Sequence, residues 1–302
     1  MSESRPTKPA PDDTKGWRRW VSPAINVLVV FGLLAAVSLL PPDTSLQEMR
    51  RVGTLRACVP ADYPPLVIVG AGERRGIEVD LLALAAERMG LRLVLNVSNT
   101  MGRDINPRNW RLTRAQCNVI AGGVLATNTT RSYLDTTQPH LEAGWVALDA
   151  NYEGELEGAT VAVFPGFSGF DRIALSQFLR NRDVTIRIVN SGAALADAIR
   201  DGEVDFGITE SIGGRQIAGN NDFRIRWLSD AFEPVPVTFG LWKGDLTIKR
   251  ALNDALAALE AEGATEALLA SYELMDIEES LDDEPVDETV ETLVDDNPPG
   301  AQ

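Results

Sequence analysis

Hydrophobic and polar positions along the chain fall into three regimes. Residues 21–40 are apolar and uncharged, and Pro41 and Pro42 close them. From about Val52 to about Leu274, compact apolar runs alternate with stretches whose apolar positions recur every three or four residues. After residue 275 large apolar side chains become few. The middle regime carries the fold. Leu55–Val59, Leu91–Val97, Asn118–Gly122, Gly144–Leu148, Val161–Phe164, Thr185–Val189, Asp205–Thr209 and Val237–Trp242 read as strands. Val79, Leu82, Ala86 and Met89 mark a helical face that Gly90 stops, and Ile248, Ala251, Leu252, Ala255 and Leu259 mark another. Phe170–Leu179 and Ala193–Arg200 read as helices, and Arg108–Ala115 as a short helical stretch. Strands alternating with helices predict an α/β fold with mainly parallel sheets.

The first regime has its own meaning. Twenty uncharged residues rise about 30 Å as a helix, enough to span a hydrocarbon core. Trp17, Arg18, Arg19 and Trp20 sit at its N-terminal border, so the positive-inside tendency puts residues 1–20 in the cytoplasm and the rest outside. The segment is expected to be one retained transmembrane helix, giving a single-pass inner-membrane protein with its C-terminal domain in the periplasm. A cleaved signal, releasing the domain into the periplasm, is the alternative. The long N-terminal region and the lack of a small-x-small site before Pro41 favour the anchor.

Charge refines this picture. The net charge of −16 argues against nucleic acid as a partner. Residues 276–296 hold eleven Asp and Glu and no Lys or Arg. Such a segment cannot bury enough apolar surface to offset its ordering entropy, so residues 276–302 are expected to be an acidic, disordered tail. Residues 1–20 are expected to be disordered as well, and Pro41 to Glu48 a linker. The two cysteines, Cys58 and Cys117, lie on and just before predicted strands that a doubly wound lobe makes neighbours. In an oxidising compartment they are expected to form a disulfide, with two free core thiols as the alternative. His140 is the single histidine, and no Cys/His spacing suggests a metal site. No nucleophile elbow or phosphate loop is present, and no cofactor is expected.

Several short motifs then occur in a telling order. Asp62-Tyr63-Pro64-Pro65 follows the first strand, and Gly76-Ile77-Glu78-Val79-Asp80-Leu81 opens the first helix. Asn118-Val119-Ile120-Ala121-Gly122-Gly123, Asn128-Thr129-Thr130-Arg131 and Pro139 with Gly144 come next. Val161 to Gly169 and Gly202 to Glu210 complete the series. The stretch from about Arg51 to Leu274 resembles the bacterial extracellular solute-binding proteins of family 3, the amino-acid-binding type. The chain departs from that pattern at Asn118, where an acid is usual, and at Glu210, where Asp is usual. About one extra residue lies between Asn118 and Arg131, and His140 replaces a common Tyr.

The resemblance implies a two-lobe periplasmic-binding-protein-like fold of type II. Residues 51–148 and 232–275 would build lobe 1, and residues 149–231 lobe 2. It implies that Arg131 holds a ligand carboxylate, a task a guanidinium fork suits, with Asn128 beside it. Ser168 and Gly169, in the turn before a helix, would share that carboxylate through backbone donors. Glu210 would take an ammonium group, and Tyr63 would stack on the ligand. Trp110 and His140 read as packing residues. The implied function is an extracytoplasmic solute-binding protein, not an enzyme, that closes on an amino-acid-like or carboxylate ligand for an ABC permease. Two other readings use the same fold: a sensing or assembly partner of a periplasmic system such as a quinoprotein dehydrogenase, and a dehydratase with Glu210 or His140 as proton donor.

Overall fold

The computed structural model describes residues 23, 25–35, 43–70, 72–101, 107–152, 154–166, 170–272, 274 and 277–280. The chain divides into two units, Met1–Asp43 and Thr44–Gln302. In the first unit residues 25–35 are helical (α1) and expose Leu28, Phe31 and Leu33. Among the described residues no helix is long and apolar enough to cross a membrane. Positions 21, 22, 24 and 36–40 of the expected spanning segment lie outside the described residues, as do residues 1–20.

The second unit opens with α2 (Ser45–Val52), β1 (Thr54–Pro60), the hairpin strands β2 (Ile68–Val69) and β3 (Arg74–Arg75), α3 (Ile77–Arg88) and β4 (Arg92–Ser98). A 3-10 turn (Pro107–Trp110), β5 (Val119–Leu125), α4 (Asn128–Tyr133), β6 (Leu134–Thr136) and β7 (Leu141–Ala143) follow. Then come β8 (Trp145–Asp149), β9 (Thr160–Val163), α5 (Arg172–Arg180), β10 (Thr185–Ile188), α6 (Gly192–Arg200), β11 (Phe206–Glu210), α7 (Ser211–Asn221) and β12 (Arg224–Trp227). The last elements are β13 (Val235–Trp242), α8 (Leu246–Ala261), α9 (Ala264–Ala270) and β14 (Glu278–Ser280).

Two sheets define two lobes. The first runs β4-β1-β5-β13-β6, with β7 also on β13. The second runs β10-β9-β11-β8-β12-β14. The sheets are mixed rather than mainly parallel. β1 is parallel to β4 and β5, and β9 to β10 and β11, as right-handed crossovers through helices require. The strands that enter each lobe from the other reverse direction: β13 is antiparallel to β5, and β8 to β11 and β12.

This arrangement moves one expected boundary. β8 belongs wholly to the second sheet, so the chain crosses between Ala143 and Trp145 rather than after Leu148. Gly144 sits at that crossing, its N–H donating to Ser211 Oγ and its carbonyl accepting from Ser211 N. The expected helix over 108–115 shrinks to the 3-10 turn, because Arg111 takes a left-handed conformation (φ 56°). The expected linker through Glu48 ends in α2, whose only buried residue is Met49 and whose Ser45 hydroxyl meets Thr247 on α8 at 3.0 Å. Residues 278–280 of the expected tail pair with β12, so the chain crosses to the second sheet once more. Residues 281–302 lie outside the described residues.

One core runs through both lobes, from Leu55, Leu82 and Phe239 to Val161, Phe206 and Ile208. A smaller cluster around Trp110, Ile120 and Trp242 surrounds the Cys58–Cys117 disulfide, whose Cα atoms lie 5.5 Å apart. Closing a 59-residue separation stabilises by about 4 kcal/mol in the chain-entropy model.

Candidate functional site

In open α/β sheets ligands sit beyond the carboxyl ends of strands, where chain direction diverges. Two such ends meet here. β1 ends at Pro60, and the following loop folds back so that Tyr63 and Val67 exchange backbone hydrogen bonds of 2.7 and 2.9 Å. The cis Pro64–Pro65 bond lies inside that exchange, and Tyr63 is only 5% exposed. From lobe 2, β11 ends at Glu210 and α7 starts at the next residue.

Glu210 is the N-cap of α7. Its Oε2 accepts from Ile212 N and its Oε1 from Gly213 N, both at 2.9 Å. The Tyr63 side chain gives it a third hydrogen bond, from the opposite lobe. Glu210 is 1% exposed, and this desolvation pushes its pKa up, outweighing the three bonds that favour the ionised form. Gly166 lies against it: a Cβ there would stand 2.6 Å from Glu210 Cγ, and its φ of 60° also suits glycine. The Gly166 carbonyl in turn accepts from Arg172 Nη2 at 3.2 Å. Partial burial lowers the Arg172 pKa, and this is the guanidinium's one hydrogen bond among the described residues.

The residues expected to form the site are thus placed unevenly. Tyr63 and Glu210 come together across the lobes, but Glu210 faces the helix start and the tyrosine rather than open space. Arg131 is exposed on α4, past the carboxyl end of β5, with no side-chain partner among the described residues. A Thr-x-x-Arg spacing would put the arginine third in a Thr-capped helix. Here Thr127 is the cap, the buried Thr130 is third, and Arg131 is fourth, about 100° further round. Asn128 is exposed at the first position of α4. Ser168 and Gly169 lie outside the described residues. Trp110 is buried beside the disulfide.

One buried cluster escaped the sequence reading. Glu78, fully buried in the first turn of α3, accepts from Gly122 N and from Gly123 N, the latter at 3.1 Å. Its other oxygen lies 3.0 Å from His140 Nε2. The His140 ring stacks on Phe239 with centroids 4.3 Å apart. The available signal was weak: an acid in a first helical turn usually faces solvent, and Gly122-Gly123 reads as an ordinary turn. A cavity of about 860 Å³ beside the crossing is lined by Leu81, Leu141 and Leu256 of lobe 1 and by Ile212, Arg215 and Trp227 of lobe 2.

Comparison with known proteins gives a consistent pattern. Residues 55–275 match the model of the bacterial extracellular solute-binding proteins, family 3. The L-cystine-binding protein TcyJ of Escherichia coli strain K12 is 22% identical over 238 residues, covering 74% of this chain and 84% of that protein. A reconstructed ancestral amino-acid-binding protein, described as a precursor of cyclohexadienyl dehydratase, superposes with a TM-score of 0.60 at 22% identity. It covers 76% of this chain and 99% of its own. A mutant of the T. maritima protein ArgBP gives 0.57 at 21% identity, covering 75% and 98%. These likenesses establish the two-lobe α/β architecture.

Proposed function

Because the chain belongs to the bacterial extracellular solute-binding proteins of family 3, we propose that it is an extracytoplasmic binding protein that closes its lobes on a small amino-acid-like or carboxylate ligand. Its partner is an ABC permease, and it acts by binding rather than catalysis. The observation that carries this reading is the junction where the loop after β1 meets the start of α7 beside Glu210: a Cβ on Gly213 would lie 4.0 Å from the Pro64 carbonyl oxygen of the other lobe. Guanidinium donors stand on both lobes: Arg131 on α4, without a side-chain partner among the described residues, and Arg172 at the start of α5, with one hydrogen bond to Gly166 O. A charged ligand bridging the lobes would draw them together. Ser168 and Gly169, which follow β9 in the chain and precede α5, belong to the same proposed site. The names of similar proteins, which mention cystine, arginine and glutamine, support a ligand of this kind.

The unit sits outside the inner membrane in this proposal, tethered through residues 21–40. Twenty uncharged residues behind a Trp-Arg-Arg-Trp border support the tether. N-terminal sequencing of the mature protein tests it, since a start after residue 40 would mean that the segment is removed.

Thermal denaturation against a panel of amino acids and small carboxylates tests the binding function. A ligand at 100 times its Kd adds about 2.7 kcal/mol to the stability of the folded state. For a body of this size that raises Tm by about 5–11 °C. A panel that moves Tm nowhere would remove the small-ligand reading.

A further inference from the structure

The chain first passes from lobe 1 to lobe 2 without a spare residue. Ala143, the last residue of β7, pairs with Val235 on β13, and His140 N donates to the Val237 carbonyl at 3.1 Å, so the chain is held to the first sheet up to Ala143. Gly144 is already held to the second. The β8–β11 ladder sets Trp145 opposite Glu210, which puts Gly144 opposite Ser211 in the next rung. Ser211 N donates to the Gly144 carbonyl at 2.8 Å. The reciprocal bond does not use the Ser211 carbonyl, because α7 starts at this residue and draws its carbonyl into the helix. The Ser211 hydroxyl takes that place and accepts from Gly144 N at 3.1 Å. Both residues are buried. Gly144 also has no room for a side chain, since a Cβ would stand 2.7 Å from Trp227 Cζ3 on β12. The return path is looser. Leu228 N donates to the Trp145 carbonyl at 3.0 Å, and β13 starts only at Val235, with residues 229–234 between. The two helix starts of lobe 2 that border the junction both rest on the first crossing. Ser211 directly follows Glu210, the cap of α7. Phe170, just ahead of α5, packs on Trp145 with ring centroids 5.2 Å apart.

We propose that Ser211 is a positioning residue for lobe closure: its hydroxyl binds Gly144 to lobe 2, so the lobes turn as rigid bodies about the Ala143–Gly144 joint, and a solute seated against the start of α7 bears directly on that joint. A hinge absorbs its change of φ and ψ at a few positions. At the first crossing those are ψ of Ala143 and φ of Gly144, and the looser return path over 229–234 follows. Without the hydroxyl, Gly144 N becomes a buried donor with no acceptor. The chain relieves this by letting Gly144 leave the ladder, which lengthens the joint by a residue and loosens the relation between the lobes. This inference rests on the lobe closure proposed above and names the residue that transmits it.

The test is the separation of the lobes in the full-length protein with no solute added, read by pulsed electron resonance between spin labels on Glu87→Cys in α3 and Ala193→Cys in α6. Ser211→Ala should widen the distance distribution roughly 1.5-fold or more. Ser211→Thr and Ser211→Val share one shape, and only the first keeps the hydroxyl. The Thr variant should therefore retain the parent width, and the Val variant should widen as the Ala variant does. A residue that merely stabilised the fold would lower the urea midpoint and leave the width of the folded protein unchanged. Parent width in Ser211→Ala and Ser211→Val, or equal widening in the Thr and Val variants, overturns the inference. If neither hydroxyl-free variant folds, hydrogen exchange in the parent protein decides. The Gly144 amide should be protected as strongly as the amides of β8, and fast exchange at Gly144 counts against the inference in the same way. None of these readings needs a bound solute, so their failure is distinct from failure of the small-ligand function, which the thermal-denaturation panel decides.

Discussion

Replacing Glu78 by Ala removes the group that ties three segments together: the first turn of α3, the Gly122-Gly123 stretch of β5, and His140 ahead of the crossing into lobe 2. The loss leaves Gly122 N, Gly123 N and His140 Nε2 without their acceptor. Each buried donor so stranded costs about 1–3 kcal/mol, and removing one partner of a buried charged or hydrogen-bonded pair costs about 3–5 kcal/mol in total. We expect Glu78→Ala to fall in that upper range, lowering Tm by about 6–20 °C. Glu78→Gln keeps one accepting oxygen and should cost only about 1–2 kcal/mol. A double-mutant cycle with His140→Phe, which preserves the ring on Phe239, should return a coupling of about 0.5–3 kcal/mol. Urea denaturation followed by far-UV circular dichroism reads all five proteins, the parent included. A cost below about 1 kcal/mol for Glu78→Ala, or equal costs for the Ala and Gln variants, would refute the claim that this carboxyl group organises the approach to the crossing.

Three further outcomes are expected. Replacing Cys58 and Cys117 together by Ser should cost about 4 kcal/mol, read as a drop in the urea midpoint that dithiothreitol reproduces in the parent protein. Desolvation raises the folded-state pKa of Glu210 above the ordinary value of 4.5, so the folded chain holds the extra proton. Its contribution is therefore complete below pH 4.5 and is lost as pH rises through the folded pKa. Unfolding midpoints measured from pH 4 to 8 should decline from this source, and Glu210→Gln should flatten the decline. Gly166→Ala places a Cβ 2.6 Å from Glu210 Cγ at a left-handed backbone position, so it should destabilise by about 1–2 kcal/mol and displace Glu210. The same denaturation curves measure the first effect, and altered ligand affinity the second.

What was legible in the sequence follows from where the information lies. β1, α3, β4, β11 and α8 were visible because their apolar periodicity matches the face they bury. α2 was not, since a helix that buries only Met49 carries almost no pattern. α7 was hidden by Gly213-Gly214, which reads as a turn. The structure uses Glu210 as its cap and needs Gly214 small, where a Cβ would come within 2.8 Å of Val146. Strand direction was misjudged because β8 and β13 arrive from the other lobe, a long-range fact that local alternation does not encode. At the site, the motifs located Tyr63 and Glu210 but not their mutual hydrogen bond. The roles inferred for the two residues assumed that each faced a ligand, whereas burial has turned them toward each other.

The central claim is that two lobes move together around a small anion, and a distance between the lobes tests it most directly. Spin labels on Glu87→Cys in α3 and Ala193→Cys in α6, both exposed and one on each lobe, report that separation by pulsed electron resonance. The account predicts that a ligand shown to bind by calorimetry shifts the distribution to shorter distances, and that Arg172→Ala removes the shift at the same ligand concentration. An unchanged distribution at saturating ligand would contradict it.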